Sequence, residues 1–417
     1  MDLTLRPTKL SGSVTVPPSK SAAHRAIISA ALAEGRSRIA HVDLSSDIRA
    51  TIGACRALGV LVQIDGGTLT IDGGRLKLTG EPIDCAESGS TLRFFIPIAC
   101  VLDGEKTFTG RGRLLQRPVD SYLQIFDMQG LRYTRLPGAS LPLTVSGALR
   151  PGEFHVDGRI SSQFVTGLLF ALPLLEGDSR VSVTGGFESR GYVDLTVDIL
   201  RRFGIHITVE GDTFTIPGNQ KYQPRDITVE GDYSQAAFFL VGGAISGGIR
   251  VKGLDVRSLQ PDRAIVDVLR RMGADIAEEN GALVSRPARL HGEVIDVSQC
   301  PDLVPPLAIA AAFAEGQTHI TGAARLRIKE SDRLHALAQN LSELGIRTDE
   351  LPDGLIIHGG QPTGGTIDSF GDHRIAMAFS IAAAGASDPV KICGADCVDK
   401  SYPAFYQDFV TLGGEII

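Results

Sequence analysis

Hydrophobic positions along the chain switch repeatedly between two periods. An apolar stretch of helical spacing ends at a glycine, and a strand-like alternation begins immediately after it. The switch occurs at Cys55-Arg-Ala-Leu-Gly59-Val-Leu-Val, Phe126-Asp-Met-Gln-Gly130-Leu-Arg-Tyr and Leu200-Arg-Arg-Phe-Gly204-Ile-His-Ile. It returns at Leu269-Arg-Arg-Met-Gly273-Ala-Asp-Ile, Leu341-Ser-Glu-Leu-Gly345-Ile-Arg-Thr and Phe409-Val-Thr-Leu-Gly413-Gly-Glu-Ile. Consecutive glycines lie 68 to 74 residues apart. Each suits the position just past a helix, where a left-handed residue turns the chain straight into a strand. One or two such matches could arise by chance, but six at near-constant spacing make the chain six copies of one unit.

Within the first unit the pattern predicts helices over Ser21–Glu34 and Asp47–Leu58 and strands over Arg38–Val42 and Leu61–Ile71. Short mixed α/β pieces of this size cannot bury their faces alone, so the units must pack on one another. A polar, proline-containing stretch at Pro217–Arg225 follows the third unit. Chain crossovers near residues 14–20 and 225–231 then give two lobes of three units: 1–16 with 229–417, and 17–228. A doubly crossed hinge between two lobes predicts a cleft that closes on ligand.

Composition narrows the picture further. At 417 residues the chain is too long for a single core. Its formal charge of −7 argues against a general nucleic-acid binder, so any anion site must be a local cluster of cations. The six cysteines sit mostly in apolar runs without metal-ligand spacing, which predicts reduced, buried thiols. The longest apolar runs, 164–175 and 303–314, are short for a membrane span and contain proline. With no leader pattern after Met1, the expectation is a soluble cytoplasmic protein that needs neither nucleic acid nor membrane.

Cations gather where helices begin. In Val16-Pro-Pro-Ser-Lys20-Ser21-Ala-Ala-His24-Arg25 a strand end and a proline stop precede a helix start, where unpaired N–H groups and the macrodipole favour an anion. An ordinary capped helix with solvated cations explains the same stretch. Glu87-Ser-Gly89-Ser-Thr-Leu-Arg93 is a small-residue turn into a helix beginning at Arg93, and Arg111–Pro118 holds three arginines in a loop. Ser161-Ser162-Gln163 opens an apolar helix with more hydrogen-bonding side chains than a cap requires. Arg325–Arg333 is read as a helix start with Lys329 and Arg333 at i and i+4 around Glu330. Gly371-Asp-His373-Arg374 and Asp399-Lys400-Ser401 complete the charged set, His373 being on general grounds a structural histidine. Asp302, in Cys300-Pro-Asp-Leu-Val-Pro-Pro, is a carboxylate at the mouth of an apolar helix. It either caps that helix or, with burial raising its pKa, serves as a general base.

In order and over essentially the full length, these blocks resemble the enolpyruvyl transferase family, and Lys329-Glu-Ser-Asp-Arg333 and Asp372-His-Arg374 are its most specific pieces. The resemblance implies a two-lobed inside-out α/β barrel of six βαβαββ repeats, three per lobe, with a double-crossover hinge and the active site in the cleft between lobes. It implies transfer of the enolpyruvyl group of phosphoenolpyruvate to a hydroxyl, with release of inorganic phosphate, by a monomer requiring no metal or organic cofactor. The loop before Arg117-Pro118 lacks the cysteine expected of the UDP-N-acetylglucosamine branch, and the Ser-Ser-Gln block is present. Both favour the 5-hydroxyl of shikimate 3-phosphate as acceptor. The UDP-sugar branch and a non-catalytic anion-binding member of the fold are the alternatives.

Carried over residue by residue, the resemblance places Lys20, Ser21, Arg25, Ser161, Ser162, Gln163, Ser189, Asp302 and Lys329 around shikimate 3-phosphate. Lys20, Gly89, Arg117, Gln163, Arg333, Arg374 and Lys400 hold phosphoenolpyruvate. Asp302 is the implied base, Glu330 and Lys400 the candidates for protonating C3, and Lys20 joins them as catalytic. Together the substrates bring about five negative charges at pH 7, which the cations would have to meet. His24 and Glu87 depart from a frequent asparagine, and Phe94 from a frequent proline. Glu87 would repel a phosphate unless it pairs with a cation such as Arg93. Gly89 leaves the room that the herbicide glyphosate would need.

Overall fold

In the computed structural model, which describes residues 1–417, all six repeat glycines are left-handed, with φ of +81° at Gly59, +74° at Gly130, +81° at Gly204, +95° at Gly273, +77° at Gly345 and +97° at Gly413. The residue after each glycine donates its N–H to the carbonyl five positions back: Val60 to Cys55, Leu131 to Phe126, Ile205 to Leu200, Ala274 to Leu269, Ile346 to Leu341 and Gly414 to Phe409, all at 2.9–3.1 Å. This closure satisfies a carbonyl left over at the helix end and aims the chain back along the unit.

The chain divides into two compact units, Lys20–Val229 and Met1–Ser19 with Glu230–Ile417, each with its own hydrophobic core. The first holds helices α1 (Lys20–Leu32), α2 (Ser46–Ala57), α3 (Gly89–Ala99), α4 (Asp120–Gln129), α5 (Ser162–Ala171) and α6 (Arg190–Arg202). The second holds α7 (Tyr233–Ile245), α8 (Ala264–Arg271), α9 (Val304–Ala312), α10 (Arg333–Glu343), α11 (His373–Gly385) and α12 (Phe405–Thr411). The odd-numbered helices are buried almost all round, and the even-numbered ones on one face only. A helix apolar on every side belongs at a centre. Accordingly α7, α9 and α11 pack on one another, while α3 packs on α5 and meets α1 through Phe94.

Each unit carries three four-stranded sheets, most of whose strands alternate buried with more exposed residues, so the sheets lie outside the helices. One repeat shows the pattern. Glu153–Asp157 runs parallel to Ser179–Thr184, which pairs antiparallel with Thr213–Ile216 and thence with Thr208–Glu210, in the register Phe154, Val181, Phe214. With α5 and α6 in the connections this is βαβαββ. Two other sheets borrow their first strand from far along the chain. Ile227–Thr228 lies parallel to Gly35–Ala40, and Gly12–Thr15 lies parallel to Ile249–Lys252 with Val14 opposite Val251. A third borrows Leu3–Arg6, which pairs antiparallel with both Val390–Cys393 and Glu415–Ile416.

Three local expectations change. Helix α3 starts at Gly89 rather than Arg93, because Ser88 caps it by accepting the Thr91 N–H at 3.2 Å. Lys329 and Arg333 do not share a helix face: a short 3-10 turn, Ala324–Ile328, precedes Lys329, and α10 begins only at Arg333 behind the Asp332 cap. The basic loop contains a 3-10 turn of its own at Gly112–Gln116. All six cysteines are free thiols, four of them fully buried. No helix is long and apolar enough to cross a membrane.

Candidate active site

In Lys20–Val229, the first turns of α1, α3 and α5 present the predicted cations and hydroxyls. Lys20 pairs with Asp47 of α2 at 2.8 Å. One helical turn on, the Nδ1 of His24 lies 2.7 Å from Thr51 Oγ1, so α1 and α2 are tied at i and i+4 on both sides. His24 is 1% exposed, and burial pushes its imidazole down to about 3, which keeps it neutral. Arg25 is 3% exposed and donates only to uncharged oxygens: Ser21 O at 2.7 Å, Thr196 Oγ1 at 2.8 Å and Tyr192 O at 2.9 Å. Its guanidinium lies over the Phe94 ring, 5.4 Å from the centroid. Burial pushes it down to about 10 without removing the charge. A buried cation balanced by dipoles alone is a standing demand for an anion.

Phe94 therefore has a reason to be aromatic: it supports Arg25 and meets the rings of His24 and Phe170. Arg93 donates to Gln163 Oε1 at 2.7 Å, and Gln163 Nε2 donates to Ser90 Oγ at 2.9 Å, which pins the amide between α3 and α5. The buried Arg117 guanidinium lies flat on Gly89, where an added Cβ would sit 2.7 Å from Nη1. Only glycine leaves that place to the arginine. The Glu87 carboxylate lies against Gly112 of the basic loop. Ser161 caps α5 as expected, Ser162 is buried, and Ser189 is a buried serine in left-handed backbone, φ +55°, ahead of α6. A non-glycine residue so placed marks a site where strain is tolerated for position.

In the other unit, Arg333 gathers three carboxylates. At 1% exposure it donates to Asp372 at 2.7 Å, Glu330 at 2.9 Å and Asp302 at 3.0 Å. Burial works against its charge, but those carboxylates hold its pKa above the ordinary arginine value. Asp372 also caps α11 through the Arg374 N–H at 2.9 Å and takes a hydrogen bond from Ser331 Oγ at 3.1 Å. Arg374 in turn donates to the other oxygen of Asp302 at 3.1 Å. Asp302 does not cap α9; its carboxylate is spent on two guanidiniums. The expectation of a raised pKa is overturned. Burial does push it up, but Arg374, Lys329 and Arg333 outweigh that and hold it well below the usual carboxylate range. Lys400 ends the 3-10 turn Ala395–Lys400.

A family model described as EPSP synthase (3-phosphoshikimate 1-carboxyvinyltransferase) matches residues 5–409. The chain belongs to the EPSP synthase family. The 3-phosphoshikimate 1-carboxyvinyltransferase of Clostridium kluyveri is 49% identical, covering 99% of this chain and 98% of the relative, and that of Clostridioides difficile is 46% identical over 99% and 98%. A solved EPSP synthase from Acinetobacter baumannii is 31% identical, with a TM-score of 0.84 over 100% of this chain and 99% of that one. The enolpyruvyl transferase NikO of Streptomyces tendae, 20% identical with a TM-score of 0.80 over 100% and 98%, shares the fold.

Within this family member the sequence blocks named the cations and gave no role to the residues that hold them. Asp47, Thr51, Ser90, Thr196 and Asp372 all bond to predicted site residues or to the elements carrying them. One signal was available: Lys20 and His24 repeat at i and i+4, as do Asp47 and Thr51, and matched spacings on two helices predict a double tie.

Proposed function

We propose that the chain transfers the enolpyruvyl group of phosphoenolpyruvate to the 5-hydroxyl of shikimate 3-phosphate, releasing inorganic phosphate, in the shikimate route to aromatic amino acids. The single observation that carries the chemistry is Asp302, a carboxylate gripped by Arg333 and Arg374. Those guanidiniums are the arms that take the anions of phosphoenolpyruvate. When substrate anions engage them, their pull on Asp302 is shared, and the pKa of its carboxyl rises from its depressed value. The base gains strength as the site fills.

In the forward direction the 5-hydroxyl oxygen attacks C2 of phosphoenolpyruvate while Asp302 accepts the hydroxyl proton and Glu330 or Lys400 protonates C3. The tetrahedral ketal then loses the C3 proton and phosphate, giving the enol ether. Lys20, Arg117, Arg333, Arg374 and Lys400 stabilise the charge that builds on the departing phosphate. Arg25, Ser161, Ser162, Ser189 and Lys329 hold shikimate 3-phosphate, Gln163 serves both substrates, and Gly89 gives Arg117 its place. The free, high-pKa thiols fit a reducing cytoplasmic setting, burial pushing Cys55, Cys100 and Cys300 up to about 12.

The test is phosphate release from phosphoenolpyruvate with either shikimate 3-phosphate or UDP-N-acetylglucosamine as acceptor. Release with the first alone is expected. Release with the second alone, or with neither, would overturn the assignment.

A further inference from the structure

Behind the phosphoenolpyruvate groups runs a buried line of hydroxyls. His24 Nδ1 lies 2.7 Å from Thr51 Oγ1, Thr51 Oγ1 lies 2.7 Å from Thr91 Oγ1, and Thr91 Oγ1 donates to Ser88 Oγ at 2.8 Å. The line crosses α1 and α2 and ends on the capping residue of α3. All four residues are buried, with exposures of 0–1%.

The direction of the protons follows from counting donors. Each hydroxyl has one proton to give. Thr91 spends its own on Ser88, so Thr51 must give its own to Thr91, and Thr51 can only accept from His24. Nδ1 therefore carries the imidazole proton. The opposite nitrogen, Nε2, is buried and has no hydrogen-bond partner, which is tolerable for a bare lone pair and costly for an N–H. Both arguments select the same tautomer.

We infer that His24 is a positioning residue for phosphoenolpyruvate: as a neutral Nδ1–H donor it orients the Thr51–Thr91–Ser88 line and so fixes the first turn of α3. That turn carries Gly89, on which Arg117 lies, and Ser90, which holds Gln163. His24 need not touch substrate to act. Arg25 is held by Ser21, Thr196 and Tyr192, outside the line, and meets it only through the Phe94 ring, so groups assigned to shikimate 3-phosphate alone are moved less than those assigned to phosphoenolpyruvate. The inference rests on the assignment of Gly89, Gln163 and Arg117 to phosphoenolpyruvate.

The experiment compares His24→Leu, His24→Asn and Thr51→Val with the wild-type chain by phosphate release under varied concentrations of each substrate. Leucine removes the donor, valine breaks the next link, and asparagine keeps an N–H near the Nδ1 position. His24→Leu and Thr51→Val are expected to raise KM for phosphoenolpyruvate about tenfold, the loss of one buried hydrogen bond. The dissociation constant of shikimate 3-phosphate should change by a clearly smaller factor than that KM, since only the shared Gln163 depends on the line, and His24→Asn should retain most of the wild-type KM. Equal losses for both substrates, no loss for either, or asparagine as damaging as leucine would overturn the inference. Nitrogen-15 imidazole spectra of the wild-type chain read the tautomer independently of any variant's folding. A neutral ring protonated at Nδ1 is expected, and protonation at Nε2 would overturn it. Should the wild-type chain release no phosphate, the assigned activity fails, while the tautomer measurement still decides the hydrogen-bond direction.

Discussion

Asp302 is buried among cations, and the two influences oppose each other. Low polarity pushes its carboxyl up, and Arg374, Lys329 and Arg333 pull it down further. As a base in the empty protein it is therefore weak, and its strength depends on what else binds its arginines. Asp302→Asn should lower turnover by about 10³-fold, within the range of general-base losses. Affinity for phosphoenolpyruvate should hold or improve, since two guanidiniums lose a competing carboxylate. Steady-state turnover alongside equilibrium binding checks this, and near-normal turnover would remove Asp302 from the base role. At this scale the sequence was legible in its residue types and blind to their balance. Asp302 stands out as a lone carboxylate before an apolar helix, but its partners arrive from 31 and 72 positions along the chain. The direction of its pKa is set by them. Asp47 and Thr51, each 27 positions from its partner on α1, left only their matched i and i+4 spacing as a trace.

At the level of elements, the helix-to-strand glycines were the most readable feature, because a positive φ is a property of one residue and leaves its mark in the residue chosen. The same added methyl group should have opposite effects at two exposed glycines. Gly130 has φ +74° and no atom within 4 Å of the place a Cβ would take, so Gly130→Ala meets no clash and only backbone strain, worth about 1 kcal/mol of destabilisation. Gly53 lies inside α2, also with open space around it, and Gly53→Ala should stabilise by about 0.5–1 kcal/mol through helix propensity. Urea unfolding of the two variants tests the pair; a destabilised Gly53→Ala or a neutral Gly130→Ala would contradict this account. Helix starts were less readable than helix ends. Arg93 stands out by its charge, while the cap that actually starts α3 is the small Ser88. The Lys329–Arg333 pair has helical spacing, but the Asp332 cap cuts between them.

For the molecule as a whole, the borrowed strands make the two units unequal. Lys20–Val229 is a continuous stretch that supplies all its own strands, including Ile227–Thr228. The other unit needs Leu3–Arg6 and Gly12–Thr15 from the beginning of the chain to complete two of its three sheets. A fragment of residues 20–229 should therefore unfold cooperatively in urea by itself. A fragment of residues 230–417 should do so only when a peptide of residues 1–19 is added. Cooperative unfolding of the second fragment alone would contradict the dependence. The sixfold repeat was legible because its period is written in single glycines, and the exchange of strands was not, because pairing partners leave no mark at a distance.

Those borrowed strands also impose an order on the making of the protein. The first nineteen residues leave the ribosome before any strand they will pair with exists, and they must wait until all of Lys20–Val229 and the segments after it have been made. At about 5–20 residues per second that delay is on the order of ten seconds or more, ample time for the continuous unit to fold first. Residues 1–19, made before every strand they join, are thus among the last to find their place.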